Sequence, residues 1–303
     1  MRYIIINNIG KLLKETFKEW FIKDPFRQSA VIAYYAVFSI PGLLFLIVTL
    51  TGYFFEKDVV SQSILAQVSG TMGVDIAAQI EGMLIKASEA KSTFMGSLIG
   101  IVILLVGATG VFVELQKSLN LIWKVKVVPQ KGIILILKSR LFSFGLILAI
   151  AFLLLVSLVI STALAAMGTW IKSDASGIMV IIFNIFNFVF SLAIISALFA
   201  MMFKILPDAK IKWKHVWLGS FVAGSLFTIG KTALAFYFGT AEPASVYGTA
   251  GSIILILLWV SYSSMIMFFG AEFTAAYARM YSGKVPPTEI AKPVTACEIK
   301  QDL

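Results

Sequence analysis

Apolar stretches of twenty or more residues alternate along the chain with shorter polar segments that hold nearly all of the charge. A helix needs ~20 apolar residues to cross ~30 Å of hydrocarbon at a rise of ~1.5 Å each. Six stretches meet that requirement, approximately 29–55, 94–113, 141–167, 178–203, 216–238 and 248–271. The pattern predicts an all-α integral membrane protein built as a bundle of six transmembrane helices.

The polar segments have patterns of their own. Ile5, Ile9, Leu12, Leu13, Phe17, Trp20 and Phe21 recur at helical spacing, with Lys11, Lys14 and Lys18 elsewhere on the wheel. Residues 1–28 are therefore expected to form a cytoplasmic amphipathic helix, lying in the membrane interface with its cations toward anionic headgroups. Packing of the same helix on the bundle is an equally good reading. In the outer loop, 56–93, Ile76, Ile80, Met83 and Leu84 predict a small helix. Gly132 to Arg140 is apolar but too short to span, which suggests an interfacial lead into the third span. The chain divides into 1–28, a transmembrane domain over 29–277, and a tail over 278–303 that is expected to be disordered from its composition and Pro286-Pro287.

Composition agrees, with 59% hydrophobic and 14% charged residues. The net charge of +9 raises nucleic-acid binding as an alternative. Placement of the charges argues against it. Twenty lysines and arginines fall in the N-terminal segment, the second and fourth connections and the tail, and four in the intervening connections. That bias puts both termini in the cytoplasm of a multi-pass protein and accounts for the basic pI. The single cysteine, Cys297, offers no disulfide.

Hydrolytic chemistry lacks its usual residues. His215 is the one histidine, so a His-Glu-x-x-His zinc site is excluded. It is read as a solvated interface residue. No Gly-x-Ser triplet occurs, and all six aspartates lie outside the expected spans, which removes a nucleophile elbow and an intramembrane aspartyl dyad. A nucleotide-binding Gly-x-x-x-x-Gly-Lys loop is also missing. No catalytic residue, metal ligand or cofactor is therefore expected.

Ionisable residues in a membrane span are costly enough to count as functional candidates. Helix rise sets Glu114 ~30 Å from the outer end of the second span and Glu272 ~37 Å from that of the sixth, both at the cytoplasmic boundary. Lys231 falls in the outer half of the fifth span. Arg27 or Lys204 are the expected partners of Glu272, and Lys117 that of Glu114. Gly96, Gly100, Gly107 and Gly110 share a face with Glu114. That face serves close helix packing or a groove toward the carboxylate. Asn184 and Asn187 could bond across helices or line a cavity, and Pro41-Gly42 should kink the first span.

Four separated blocks resemble the YihY/BrkB family of bacterial inner-membrane proteins, over about residues 15 to 280. They are "SAVIAYYAVFSIPGLLFLI", "SLNLIWKV", "LPDAKIKWKHVWLGSFVAG" and "YGTAGSIILILLWVSYSSMIMFFGAEFTAAYAR". Tyr34, Tyr35, Ser39, Pro41, Asn120, Pro207, Gly219, Tyr247, Gly248, Gly251, Trp259, Gly270 and Glu272 occupy recurring family positions. The resemblance implies a six-helix protein with a transport role, of lipid-like molecules among others. An older ribonuclease label for the family finds no metal-binding cluster to support it here.

Two readings follow. One is a transporter or lipid-handling protein of the inner membrane, not an enzyme, with Glu114, Lys231, Glu272, Asn184, Asn187 and Arg27 on its pathway or gates. Pro41, Gly42, the glycine track, Gly248, Gly251 and Gly270 would be packing or hinge positions. The other is a scaffold for envelope proteins. Membrane lipids are the expected partners, nucleic acid is not, and a homo-oligomer is compatible with the sequence.

Overall fold

The computed structural model describes residues 2–51, 61–62, 64–66, 68–69, 74–89, 94–128, 177–241, 251–283 and 285–294. Its elements in chain order are α1 (Arg2–Ile22), α2 (Pro25–Thr51), α3 (Val74–Glu89), α4 (Phe94–Trp123), β1 (Val125–Val127), α5 (Gly177–Ile205), α6 (Trp213–Ala241), α7 (Gly251–Ser282) and β2 (Ala291–Pro293). Among the described residues, three segments are long and apolar enough to cross a membrane, Ile178–Ile205, Trp213–Phe238 and Ile253–Ser282. The first and second expected spans fall on α2 and α4, while the third and the stretch from Gly132 to Arg140 lie outside the described residues.

The helices overrun their apolar stretches. α4 continues past Val113 to Trp123, and α7 past Ala271 to Ser282. An apolar run ends at the first charges, whereas backbone hydrogen bonding continues as long as one face stays packed. The first turn also lies earlier than the expected 28/29 boundary. Asp24 adopts φ 49°, a left-handed conformation that aspartate tolerates better than most residues. Its carboxylate accepts from the Arg27 amide at 3.3 Å, and Pro25 opens α2 in the position where a missing N–H costs nothing.

The chain groups into two compact units. The first comprises Met1–Lys23, Gln116–Thr228 and Met267–Leu303. Small residues let its helices approach closely. A Cβ on Gly219 would collide with the Thr274 side chain, and one on Gly270 would lie 2.5 Å from Ala223 Cβ and 3.1 Å from Phe203 Cζ. One on Gly224 would meet Ser196 Oγ at 2.6 Å. This is the packing expected where hydrocarbon outside removes any hydrophobic advantage of large side chains. The Thr274 hydroxyl donates back to the Gly270 carbonyl at 2.8 Å, so burial leaves it satisfied.

The second unit comprises Asp24–Leu115 and Ile229–Ile266. Here α4 lies against α2. A Cβ on Gly107 would sit 2.9 Å from Ser39 Cβ, and one on Gly110 would enter the Tyr35 ring. Gly230 of α6 likewise faces the Tyr262 hydroxyl of α7. α3 forms within the expected outer loop and packs on α2, with Ile76, Ile80 and Leu84 buried. α2 is helical through Pro41 and Gly42.

Two expectations are corrected. The chain is not wholly α, because β1 and β2 pair antiparallel with Lys126 opposite Lys292. The tail is not disordered over 285–294. Pro286 and Pro287 lack amide donors, but their chain is extended and serves as an acceptor. The Pro286 carbonyl takes the Lys210 amide at 2.9 Å, and Ala209 bridges to Pro287. Composition registered the missing donors and could not show a partner strand that supplies its own.

Candidate functional site

Glu272 anchors the site. It lies on α7, ~31 Å along the helix axis from the first residue of that helix. Its side chain is 1% exposed. One carboxylate oxygen, Oε1, pairs with the Lys23 ammonium, which is itself 5% exposed. The other, Oε2, stands 3.8 Å from Arg279 Nη2, and neither of these two atoms has a hydrogen-bond partner among the described residues.

From this pair a row of alternating charges extends both ways. Lys23 also reaches Glu19 Oε2 at 3.3 Å, and Lys124 reaches the same oxygen at 3.3 Å. At the other end Arg279 Nε lies 3.8 Å from Glu15 Oε1. The order is Lys124, Glu19, Lys23, Glu272, Arg279, Glu15, three cations and three anions, exposed at the ends and dry in the middle. Partial burial raises the pKa of Glu19, and Lys23 and Lys124 outweigh that, holding its carboxyl below the usual carboxylate range.

Local sequence places each member. Glu15 and Glu19 are one turn apart on α1, and Lys23 follows a turn later in the bend that Asp24 makes. Glu272 and Arg279 are two turns apart on α7. Lys124 ends α4 with φ 55°, which turns the chain into β1. Leu12, Phe273 and Ala276 form a buried cluster beside the row, flanked by Val222, Tyr277 and Met280. Trp20 meets Phe269 edge-on with centroids 5.9 Å apart. The apolar seam between α1 and α7 thus keeps the ions out of water.

The expected partners of Glu272 are corrected. Arg27 pairs with Asp24 at 3.5 Å, and Lys204 donates to the Ile211 carbonyl and lies 5.8 Å from the Trp213 ring centroid. Lys23 takes their place, buried in the turn that follows α1, whereas Arg27 is half exposed. Glu114 on α4 and Lys231 on α6 are half-buried. Asn184 is exposed and Asn187 half-buried on α5. Gly96 and Gly100 lie in the first two turns of α4, Gly251 opens α7, and Gly248 is outside the described residues.

Two further polar clusters occupy the same unit. Asp208 is buried, accepting from Asn120 Nδ2 at 2.8 Å and Gln116 Nε2 at 3.1 Å. Its amide donates to Asn120 Oδ1 at 2.7 Å, and its carbonyl accepts from the Thr288 amide at 3.0 Å. The connection between α5 and α6 is thereby held to α4 and to the tail. His215 is buried rather than solvated, with Nε2 2.9 Å from Ser282 Oγ and its ring 5.6 Å from that of Tyr277. Nδ1 has no partner. A serine–histidine contact without an orienting acid does not make a triad. Among the described residues no group of acidic, histidine or cysteine side chains could hold a metal ion.

Sequence reasoning missed Lys23, Glu19, Arg279 and Asp208. A signal for the first two existed. Glu19 and Lys23 are spaced i, i+4 on the side of α1 that carries Leu12 and Thr16, so the packed seam of that helix was marked by its own charges. Nothing local marked Asp208, since its partners are 88 and 92 residues away in sequence.

A UPF0761 membrane protein of Verminephrobacter eiseniae is 28% identical over 217 residues, 71% of this chain and 49% of that protein. One from Saccharophagus degradans is 24% identical over 272 residues, covering 89% of this chain and 60% of that protein. A third, from Aeromonas salmonicida, is 25% identical over 222 residues, 72% and 71% of the two chains. This chain thus spans about half to two thirds of the length of several relatives. No solved structure matches. The profile of the family described as Virulence factor BrkB matches residues 16–293, and the chain belongs to that family of membrane proteins.

Proposed function

We propose that the protein is a secondary or facilitative transporter, or a lipid-handling protein, of the bacterial inner membrane, with six spans and both termini in the cytoplasm. In this reading the row of charges around Glu272 latches the cytoplasmic ends of α1, α4 and α7. The observation that carries it is the dry Lys23–Glu272–Arg279 arrangement, in which Glu272 Oε2 and Arg279 Nη2 face each other without a hydrogen bond. Buried ion pairs add little net stability over apolar side chains of the same size. An incompletely bonded pair at a helix junction therefore suits a contact that breaks and re-forms. Lys231, in the outer half of α6, would receive an anionic group such as a phosphate as a point charge.

The test is flux through purified protein in liposomes, followed with a fluorescent phospholipid and a pH-sensitive dye. Glu272→Gln weakens the latch and is expected to raise basal flux, whereas Lys231→Ala lowers it. A wild-type protein that moves neither lipid nor protons, with both variants indistinguishable from wild type in cells, overturns the reading. The alternative is a non-transporting scaffold. In its favour, Ile178, Ile181, Ile182, Ile185, Phe186 and Val189 leave much of the first half of α5 exposed as an apolar face. A scaffold would retain its partner protein after every one of these charge substitutions.

A further inference from the structure

We infer that α1 and the start of α6 form a binding surface for anionic phospholipid headgroups of the protein's own membrane. This does not depend on transport. The inference begins with how α1 divides its circumference. Leu12, Thr16 and Lys23 are buried on one side, and Thr16 satisfies its hydroxyl on the Leu12 carbonyl at 2.8 Å. The next sector carries Ile9, Leu13, Phe17 and Phe21, one turn apart and exposed, Phe17 at 57% and Phe21 at 61%. Phe17 and Phe21 stack with centroids 6.4 Å apart, and Phe17 also meets Trp20 at 5.7 Å. Beyond that ridge come Lys14, Lys18 and Lys11, all exposed.

A helix with its apolar seam already satisfied does not need a second apolar ridge to stay folded on the protein. A ridge of aromatic and aliphatic side chains edged by lysines is suited to the boundary between acyl chains and headgroups. The start of α6 repeats the arrangement within the same unit. Trp213, Trp217 and Phe221 recur one turn apart and exposed, the indoles 6.4 Å apart, with Lys210, Lys212 and Lys214 exposed beside them. Tryptophan at headgroup depth and lysine toward the aqueous side is the order that an interface selects. Val222 of α6 packs on the cluster that holds Leu12 of α1, so the two displays belong to one packed body. Charge complementarity decides the occupant. Six exposed lysines border these aromatics, and no carboxylate lies on the aromatic ridge of either helix, which favours phosphate-bearing anionic lipid over a zwitterionic surface.

The inference is tested with a bimane probe at Phe17→Cys in a full-length Cys297→Ala background, in nanodiscs of phosphatidylcholine with and without phosphatidylglycerol. Quenching by shallow nitroxide-labelled phosphatidylglycerol is expected to exceed that by the matching phosphatidylcholine several-fold. A Lys11→Gln/Lys14→Gln/Lys18→Gln variant is expected to bring the two to parity while circular dichroism stays unchanged. A second probe at Trp217→Cys should follow the same order. Equal quenching by both lipids in the wild-type background overturns the headgroup assignment. So does full access of iodide to the probe in nanodiscs. Protection from iodide that persists without lipid would give the ridge to a second copy or another protein, and likewise overturns it.

Discussion

Glu272 is the residue on which the arrangement turns, because its two oxygens are treated differently. Oε1 has an ammonium partner, whereas Oε2 has only a guanidinium at ionic distance. Removing one member of such a pair strands the other in a dry site, at a cost of about 3–5 kcal/mol. Lys23→Met and Glu272→Leu are each expected to lower the unfolding temperature in detergent strongly. The double variant, which leaves only the partly exposed Arg279 guanidinium without its carboxylate, should recover a large part of that loss. Strictly additive losses in this double-mutant cycle would mean that the two groups do not interact. That Glu272 closes the long apolar stretch of α7 was legible from the sequence alone. Its partner was not, because Lys23 and Glu272 are 249 residues apart.

The helices meet on small residues, and the glycines separate into two kinds. Gly270 and Gly110 have neighbours that a methyl group would displace, whereas Gly10 and Gly82 have nothing within 4 Å. Gly270→Ala is therefore expected to destabilise by about 1–3 kcal/mol through overpacking. Gly82→Ala should stabilise α3 by up to about 1 kcal/mol through helix propensity. Thermal unfolding of the two variants checks the sign, and equal shifts would contradict the packing. The periodicity that placed Gly107 and Gly110 on one face of α4 was readable in the chain. That this face receives Tyr35 and Ser39 was not, since a wheel gives direction without neighbours.

The first unit is closed by the tail, which reaches back along β1 and the Asp208 connection. Ending the chain at Gly283 removes β2 and the Thr288 contact to the Asp208 carbonyl. Faster amide exchange is then expected at 125–128 and 206–211, with the α7 amides unchanged, by hydrogen-exchange mass spectrometry. Unchanged exchange at both segments would show that the tail is a passenger. Along the chain, hydropathy was sufficient for the class of protein and for the long apolar helices among the described residues, because burial in hydrocarbon acts on each segment separately. What only the folded chain decided was pairing: Lys23 with Glu272, Asn120 with Asp208, β1 with β2, His215 with Ser282. Each such contact joins positions far apart in sequence, and its energy depends on a distance that no local pattern records.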